Sequence, residues 1–187
     1  LFLAMIFGWP LPLVAIQLLV LNLLTDGAPA LALGLEKGDP DIMDQSPRPV
    51  TEPIINRTMI VGIAVQTVAI TTAVLMAFRI GLPAGLAHAR TMAFATLSIS
   101  ELFRAYTSRS ERYALFSLGV FSNKWMQWAV LASFVILLAI VYVPFLDPIF
   151  ETTFLTASDW LIMLPLILLP SLAAEINKWV LRKRSGG

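Results

Sequence analysis

Apolar stretches long enough to cross a bilayer alternate along this chain with short segments rich in charge and proline, and the alternation predicts its elements. Met59 to Phe78 carries no charge over the about twenty residues that a crossing requires, and Trp125 to Leu146 carries none either. The pattern predicts spans at 11–33, 58–80, 89–106, 124–143 and 158–180. Residues 1–8 read as the end of a further span, closed by the turn signal Gly8-Trp9-Pro10-Leu11-Pro12 with its interfacial aromatic. Segment 34–57 concentrates acids, bases and the prolines at 40, 47, 49 and 53, so it predicts a loop too charged for lipid and too rich in proline for a helix. Segment 107–123 predicts a second polar loop, and Gly81-Leu82-Pro83-Ala84-Gly85 a tight turn. Trp125, Trp128, Trp160 and Trp179 read as an interfacial belt. The fold class that follows is all-α: a polytopic membrane helix bundle of five full transmembrane helices plus the end of a sixth.

The span at 11–33 breaks the apolar pattern at its centre. Asn22, Thr25 and Asp26 lie within five residues of one another, and at about 100° per residue they fall within one ~100° sector of a helix. Gly27 and Pro29 follow at once and predict a local break, because glycine adds backbone freedom and proline lacks an N–H. Broken membrane helices expose carbonyls that can coordinate a cation.

Composition sharpens this picture. The chain is 58% hydrophobic and 13% charged, with a mean hydropathy of +0.80, which places it among integral membrane proteins with the lipid bilayer as its first partner. A net charge of +1 argues against nucleic acid. With no cysteine and one histidine, His88, disulfide frameworks and Cys/His metal sites are excluded, and oxygen-ligand chemistry for hard cations is left. Lysine and arginine orient the array: Arg79 and Arg90 alone fall on the side opposite the long loops and the C-terminus. The positive-inside rule therefore predicts that 34–57, 107–123 and the tail are cytoplasmic.

Three acids sit in apolar runs: Asp26, Glu101 and Glu175. Each costs ~2.5–3.5 kcal/mol at mid-membrane, so each requires a partner or a purpose. Cation coordination is the favoured reading for Asp26, with Asn22 and Thr25 beside it, against an interhelical hydrogen bond. Glu101 is balanced between ligand and an i,i+3 pair with Arg104, and Glu175 reads as a structural pair with Lys178. The acids Asp39, Asp41 and Asp44 lack the glycine and distal glutamate of a calcium loop and read as solvated.

At Asn22-Leu-Leu-Thr25-Asp26-Gly27-Ala-Pro29-Ala-Leu-Ala-Leu-Gly34, followed by Asp39-Pro-Asp-Ile-Met43 and Pro47-Arg48-Pro49, the chain resembles the calcium-transporting P-type ATPases of the sarcoplasmic-reticulum type and their prokaryotic relatives. The resemblance covers 1–187, from the end of the family's fifth transmembrane helix through its tenth. It implies a pump driven by phosphorylation of an aspartate by ATP. Asn22, Thr25, Asp26 and Glu101 would be metal ligands, and the chain would be the C-terminal transmembrane part of the transport domain. Calcium would be the transported ligand, and ATP and magnesium would act only through domains outside this sequence. The N-terminal part of the pump, with helices one to five and the cytoplasmic domains, would be the partner, and the plasma membrane of a prokaryote the location. No catalytic residue can be carried over, so the chain alone is expected to be inactive. The rivals are a pump for manganese, sodium or potassium, and a non-enzymatic membrane protein in which the same polar groups only join helices.

Overall fold

A computed structural model describes residues 1–38, 43, 57–110, 113 and 115–185, with the backbone alone at 26, 57, 58, 116, 118 and 181–185. Asp39, Asp41, Asp44, Arg48 and Glu52 of the long loop lie outside the described residues.

The chain begins with the short helix α1 (Phe2–Ile6), then crosses as Ala15–Leu33, a single span composed of α2 (Ala15–Val20), the segment Leu21–Gly27 and α3 (Ala28–Leu33). Buried Gln17 fixes its start. The side-chain amide donates to Phe150 O at 3.1 Å while its oxygen accepts from Val14 N at 3.3 Å, which satisfies both ends of a polar group in an apolar setting. Beyond the long loop, α4 (Arg57–Gly81) and α5 (Leu86–Thr107) form a hairpin closed by a 3₁₀ turn at Leu82–Ala84. The one-turn helix α6 (Leu115–Leu118) lies in the second polar loop, α7 (Lys124–Tyr142) and α9 (Ala157–Ser185) complete the long helices, and α8 (Asp147–Phe150) bridges them.

Four stretches among the described residues are long and apolar enough to cross a membrane: Ala15–Leu33, Met59–Ala84, Lys124–Tyr142 and Ala157–Val180. α5 is not one of them. Its 22 residues give a rod of roughly 33 Å, long enough to cross, but His88, Arg90, Glu101 and Arg104, with several serines and threonines, lower its hydropathy. The reason is its position: α5 packs against α4, α9, α7, α3 and the Leu21–Gly27 segment, so it meets protein where the other helices meet lipid. Small residues let the neighbouring backbones approach. Its hydroxyls close onto carbonyls, Thr91 on Ala87 and Ser98 on Phe94 in its own helix and Ser100 on Ile167 of α9. Phe78, Met92, Phe94, Val141 and Met163, from α4, α5, α7 and α9, fill the core around it.

Of the tryptophans expected to form a belt, Trp125, Trp128 and Trp179 are exposed. Trp160 instead packs against the core and donates its indole N–H to the Tyr142 hydroxyl.

The α4–α5 turn depends on one close approach. A Cβ built at Gly81 would lie 2.7 Å from Ala89 Cα and 2.9 Å from Met92 Sδ, whereas one at Gly62 would meet only Asn177 Nδ2 at 3.6 Å. Gly81→Ala should therefore lower the stability of the detergent-solubilised protein by about 1–3 kcal/mol through overpacking. Gly62→Ala, in the same helix, should be neutral or stabilising by up to about 1 kcal/mol. Thermal melts followed by fluorescence-detected size exclusion check both, and equal behaviour of the two variants would contradict the packing described.

Candidate cation site

The Ala15–Leu33 span stays helical through the polar triplet, but its middle is widened into a π-helix at Leu21–Gly27. In such a turn residue i accepts from i+5, and Leu24 would have to accept from Pro29, which has no N–H. The Leu24 carbonyl instead accepts from Ser133 Oγ of α7 at 2.7 Å, and the Leu21 carbonyl accepts from Thr25 Oγ1 at 2.7 Å. The break expected at Gly27 and Pro29 is thus a change of helical pitch, and these two carbonyls are engaged by hydroxyls. Gly27 has helical angles, φ −66° and ψ −62°, and a Cβ there would meet nothing closer than Asn22 O at 3.8 Å, so its surroundings do not demand glycine.

The wider turn also changes which residues share a face. Asn22 is exposed while Thr25 is buried, because i→i+5 bonding adds a residue to the turn and the ~100° step no longer applies. Asp26 has its backbone in the π-helix, and its side chain lies outside the described residues. Among the described residues no three His, Cys, Asp or Glu side chains gather as a metal-holding group.

Thr25 and Glu101, far apart in sequence, come together. They line one cavity of ≈ 180 Å³ that runs between α3 and α5, with Pro29, Ala30 and Leu33 on one wall and Arg104, Ala105 and Ser108 on the other. Glu101 Oε2 accepts from Arg104 Nε at 2.7 Å; the carboxylate is 16% exposed and the guanidinium side chain 40%. Glu175 pairs with Lys178 at 3.1 Å, and the same ammonium donates to Thr107 O at 2.6 Å, tying α9 to the end of α5. His88 also has a neighbour that the sequence did not disclose: its Nε2 lies 3.3 Å from Asp159 Oδ1 at the start of α9.

Residues 10–180 match the family model described as "Cation transporting ATPase, C-terminus". The chain belongs to this family. It is 38% identical over 171 residues to a calcium-transporting ATPase of Bacillus subtilis, covering 90% of this chain and 19% of that protein. It is 34% identical over 196 residues to calcium-transporting ATPase 1 of Bacillus cereus, covering 95% of this chain and 22% of the relative. It is also 34% identical over 184 residues to the human calcium-transporting ATPase type 2C member 1, covering 97% of this chain and 20% of the relative. The chain therefore spans about a fifth of the length of these relatives, as an integral, multi-pass membrane segment of the cation-transporting ATPase family.

In this ATPase C-terminal segment, the helix ends next to the cavity are joined by a clasp that sequence reading missed. The Arg109 side chain, 1% exposed, donates to both oxygens of Glu36 at 2.8 Å, to Gly119 O at 2.9 Å and to the Ser122 hydroxyl. Asn123 adds a donor to Glu36 Oε2 at 2.8 Å and to Ala32 O at 3.0 Å, and its own oxygen caps α7 at Met126 N. The guanidinium hydrogen-bonded to Glu36 holds that carboxyl below its ordinary range; burial works against the shift, and Asn123 and the charge of Arg109 reinforce it. Nothing within a turn of Arg109 signals this, since Glu36 precedes both α4 and α5 in the chain. Only the N-cap preference of Asn123 was readable locally.

Arg109→Gln should cost about 1–3 kcal/mol, because it leaves the partly buried Glu36 carboxylate with Asn123 as its remaining side-chain donor. The Glu36 contribution carries a pH signature. Its folded pKa lies below its unfolded value, so the stabilisation is fully present above the ordinary carboxylate range and is lost as pH falls through the depressed value. Melting temperatures taken from neutral to acidic pH should fall more steeply for the wild type than for Glu36→Gln, and parallel curves would contradict the clasp.

Proposed function

We propose that this chain supplies the C-terminal part of the transport domain of an ATP-driven calcium pump. The observation that carries the reading is the cavity that joins Thr25 of the π-helix to Glu101 of α5, two oxygen-bearing side chains facing one space between membrane helices. Oxygen donors of this kind suit calcium in preference to a transition metal. Asp26 and Asn22 complete the proposed set. The exposed Asn22 would meet the remaining transport helices of the longer protein, and Asp26 would supply the charge that offsets dehydration of the ion. ATP and magnesium would be handled by domains beyond this segment. The relatives, which are calcium-transporting ATPases by name, support the choice of ion over manganese, sodium or potassium.

The hydroxyl–carbonyl bond from Thr25 to Leu21 and the Glu101–Arg104 pair, each made within its own span, favour a second reading, in which these groups are satisfied locally and serve only the structure. The two readings predict opposite results for Asp26→Asn in the full-length pump. As a ligand, Asp26 should be needed: the calcium concentration for half-maximal phosphorylation from ATP should rise at least about tenfold, equivalent to ~1.4 kcal/mol. Asn22→Ala should weaken binding less, since it deletes one neutral oxygen. As a structural group, Asp26 replaced by asparagine should be harmless or stabilising, because a costly carboxylate is removed. An unchanged calcium titration, with normal membrane insertion, would move the site elsewhere.

The proposed orientation, in a prokaryotic plasma membrane, places the ends of α3, α5 and α9 on the cytoplasmic side, following the excess of lysine and arginine there. Cysteines introduced at Lys37 and Phe154, both exposed, should react with an impermeant maleimide from opposite sides, the first from the cytoplasm. Labelling of both from one side would overturn this topology.

A further inference from the structure

Two arginines on the same helix end are held in contrasting ways. Arg109 is enclosed, forked onto Glu36 and bonded to further acceptors, so its charge is fixed in place. Arg104 is 40% exposed and holds Glu101 through Nε alone, on the wall of a cavity that also reaches Thr25. In this arrangement Glu101 has a positive neighbour on a flexible stem. No other charged side chain among the described residues lines that cavity.

We propose that Arg104 is a tethered cation that competes with the transported cation for the Glu101 carboxylate. This rests on the reading of Glu101 as part of a cation site. A carboxylate at membrane depth costs ~2.5–3.5 kcal/mol unless it is neutralised, and Arg104 neutralises it from one turn away. A divalent cation entering between Thr25 and Glu101 meets an oxygen already engaged by nitrogen at 2.7 Å. It must displace the guanidinium, and the exposure of Arg104 together with its single bond leaves room for that displacement. The pair thus lowers the affinity of the site and limits the time Glu101 spends as a bare anion. A purely structural i,i+3 pair would stabilise the helix by ~0.2–0.5 kcal/mol and leave cation affinity untouched.

The test is a double-mutant cycle in membranes carrying the full-length pump, read as the calcium concentration for half-maximal phosphorylation from ATP. Arg104→Gln should lower that concentration at least about fivefold, a change of about 1 kcal/mol in binding. Arg104→Lys, which keeps the charge, should stay near the wild type. In the Glu101→Gln background, Arg104→Gln should produce no further shift, since nothing is left to compete for. Surface expression and limited proteolysis establish that each variant is inserted and folded. If Arg104→Gln is not, Arg104→Met, which keeps the apolar stem, takes its place under the same criterion. An unchanged or higher calcium requirement in the charge-free variant, or the same shift with and without Glu101, overturns the competition. Asp26→Asn separates this failure from failure of the site itself: loss of affinity there with no Arg104–Glu101 coupling sinks only the competition, whereas no effect at Asp26 sinks the site.

Discussion

A helix surrounded by other helices cannot use large apolar side chains on every face, and the bundle depends on how α5 meets that constraint. Its alanines bring α4 and α9 close, and at Gly81 the approach leaves no space for even a methyl group. Serine and threonine are tolerated at this depth because a hydroxyl can donate a hydrogen bond to the carbonyl one turn back, as at Thr91 and Ser98, or to one on a neighbouring helix, as at Ser100. This helix is more polar than the stretches apolar enough to cross by composition alone, although the residue pattern marks a span at 89–106, and it is the one the others pack around.

The same accounting governs the widened segment of the first long span. A proline placed after a glycine could have unwound the helix, but the missing donor is answered from α7, whose Ser133 hydroxyl serves the Leu24 carbonyl. The backbone therefore stays helical, with a pitch that turns Thr25 inward and Asn22 outward. The cavity beside Thr25 opens because α3 faces Glu101 and Ala105 of α5 across small side chains, Ala30 and Pro29. Position, more than any single donor, gives Glu101 its interest.

Among the described residues most ion pairs gather at the two ends of the bundle. At one end Arg109, Glu36 and Asn123 join α3, the loop after α5 and the start of α7, and Lys178 joins α9 to α5. At the other, Arg90 donates to Leu11 O at 3.1 Å and pairs with Glu151 at 3.3 Å, while His88 faces Asp159. Charges cost least where headgroups and water are near, and there they fix the order in which helix ends sit side by side. Between those tied ends, Glu101 and Arg104 are the charged pair that borders the cavity.

How much of this was legible in the sequence follows from the range of each interaction. Hydrophobic runs, turn residues and the excess of lysine and arginine act locally, so the helical class, the membrane setting and the approximate limits of α4, α7 and α9 are readable from the order of residues alone, as is the family through the Asn22 to Gly34 motif. The pairs Glu101–Arg104 and Glu175–Lys178 are readable too, being one turn apart. Tertiary structure alone decided what depends on distant partners. Ser133 of α7 turned an expected break into a π-helix, and the packing of four helices around α5 explained its polar composition. Glu36 gave Arg109 its place, and Thr25 and Glu101 came to share one cavity, because residues separated by whole helices meet only when the bundle closes and no periodicity along the chain encodes which faces will touch.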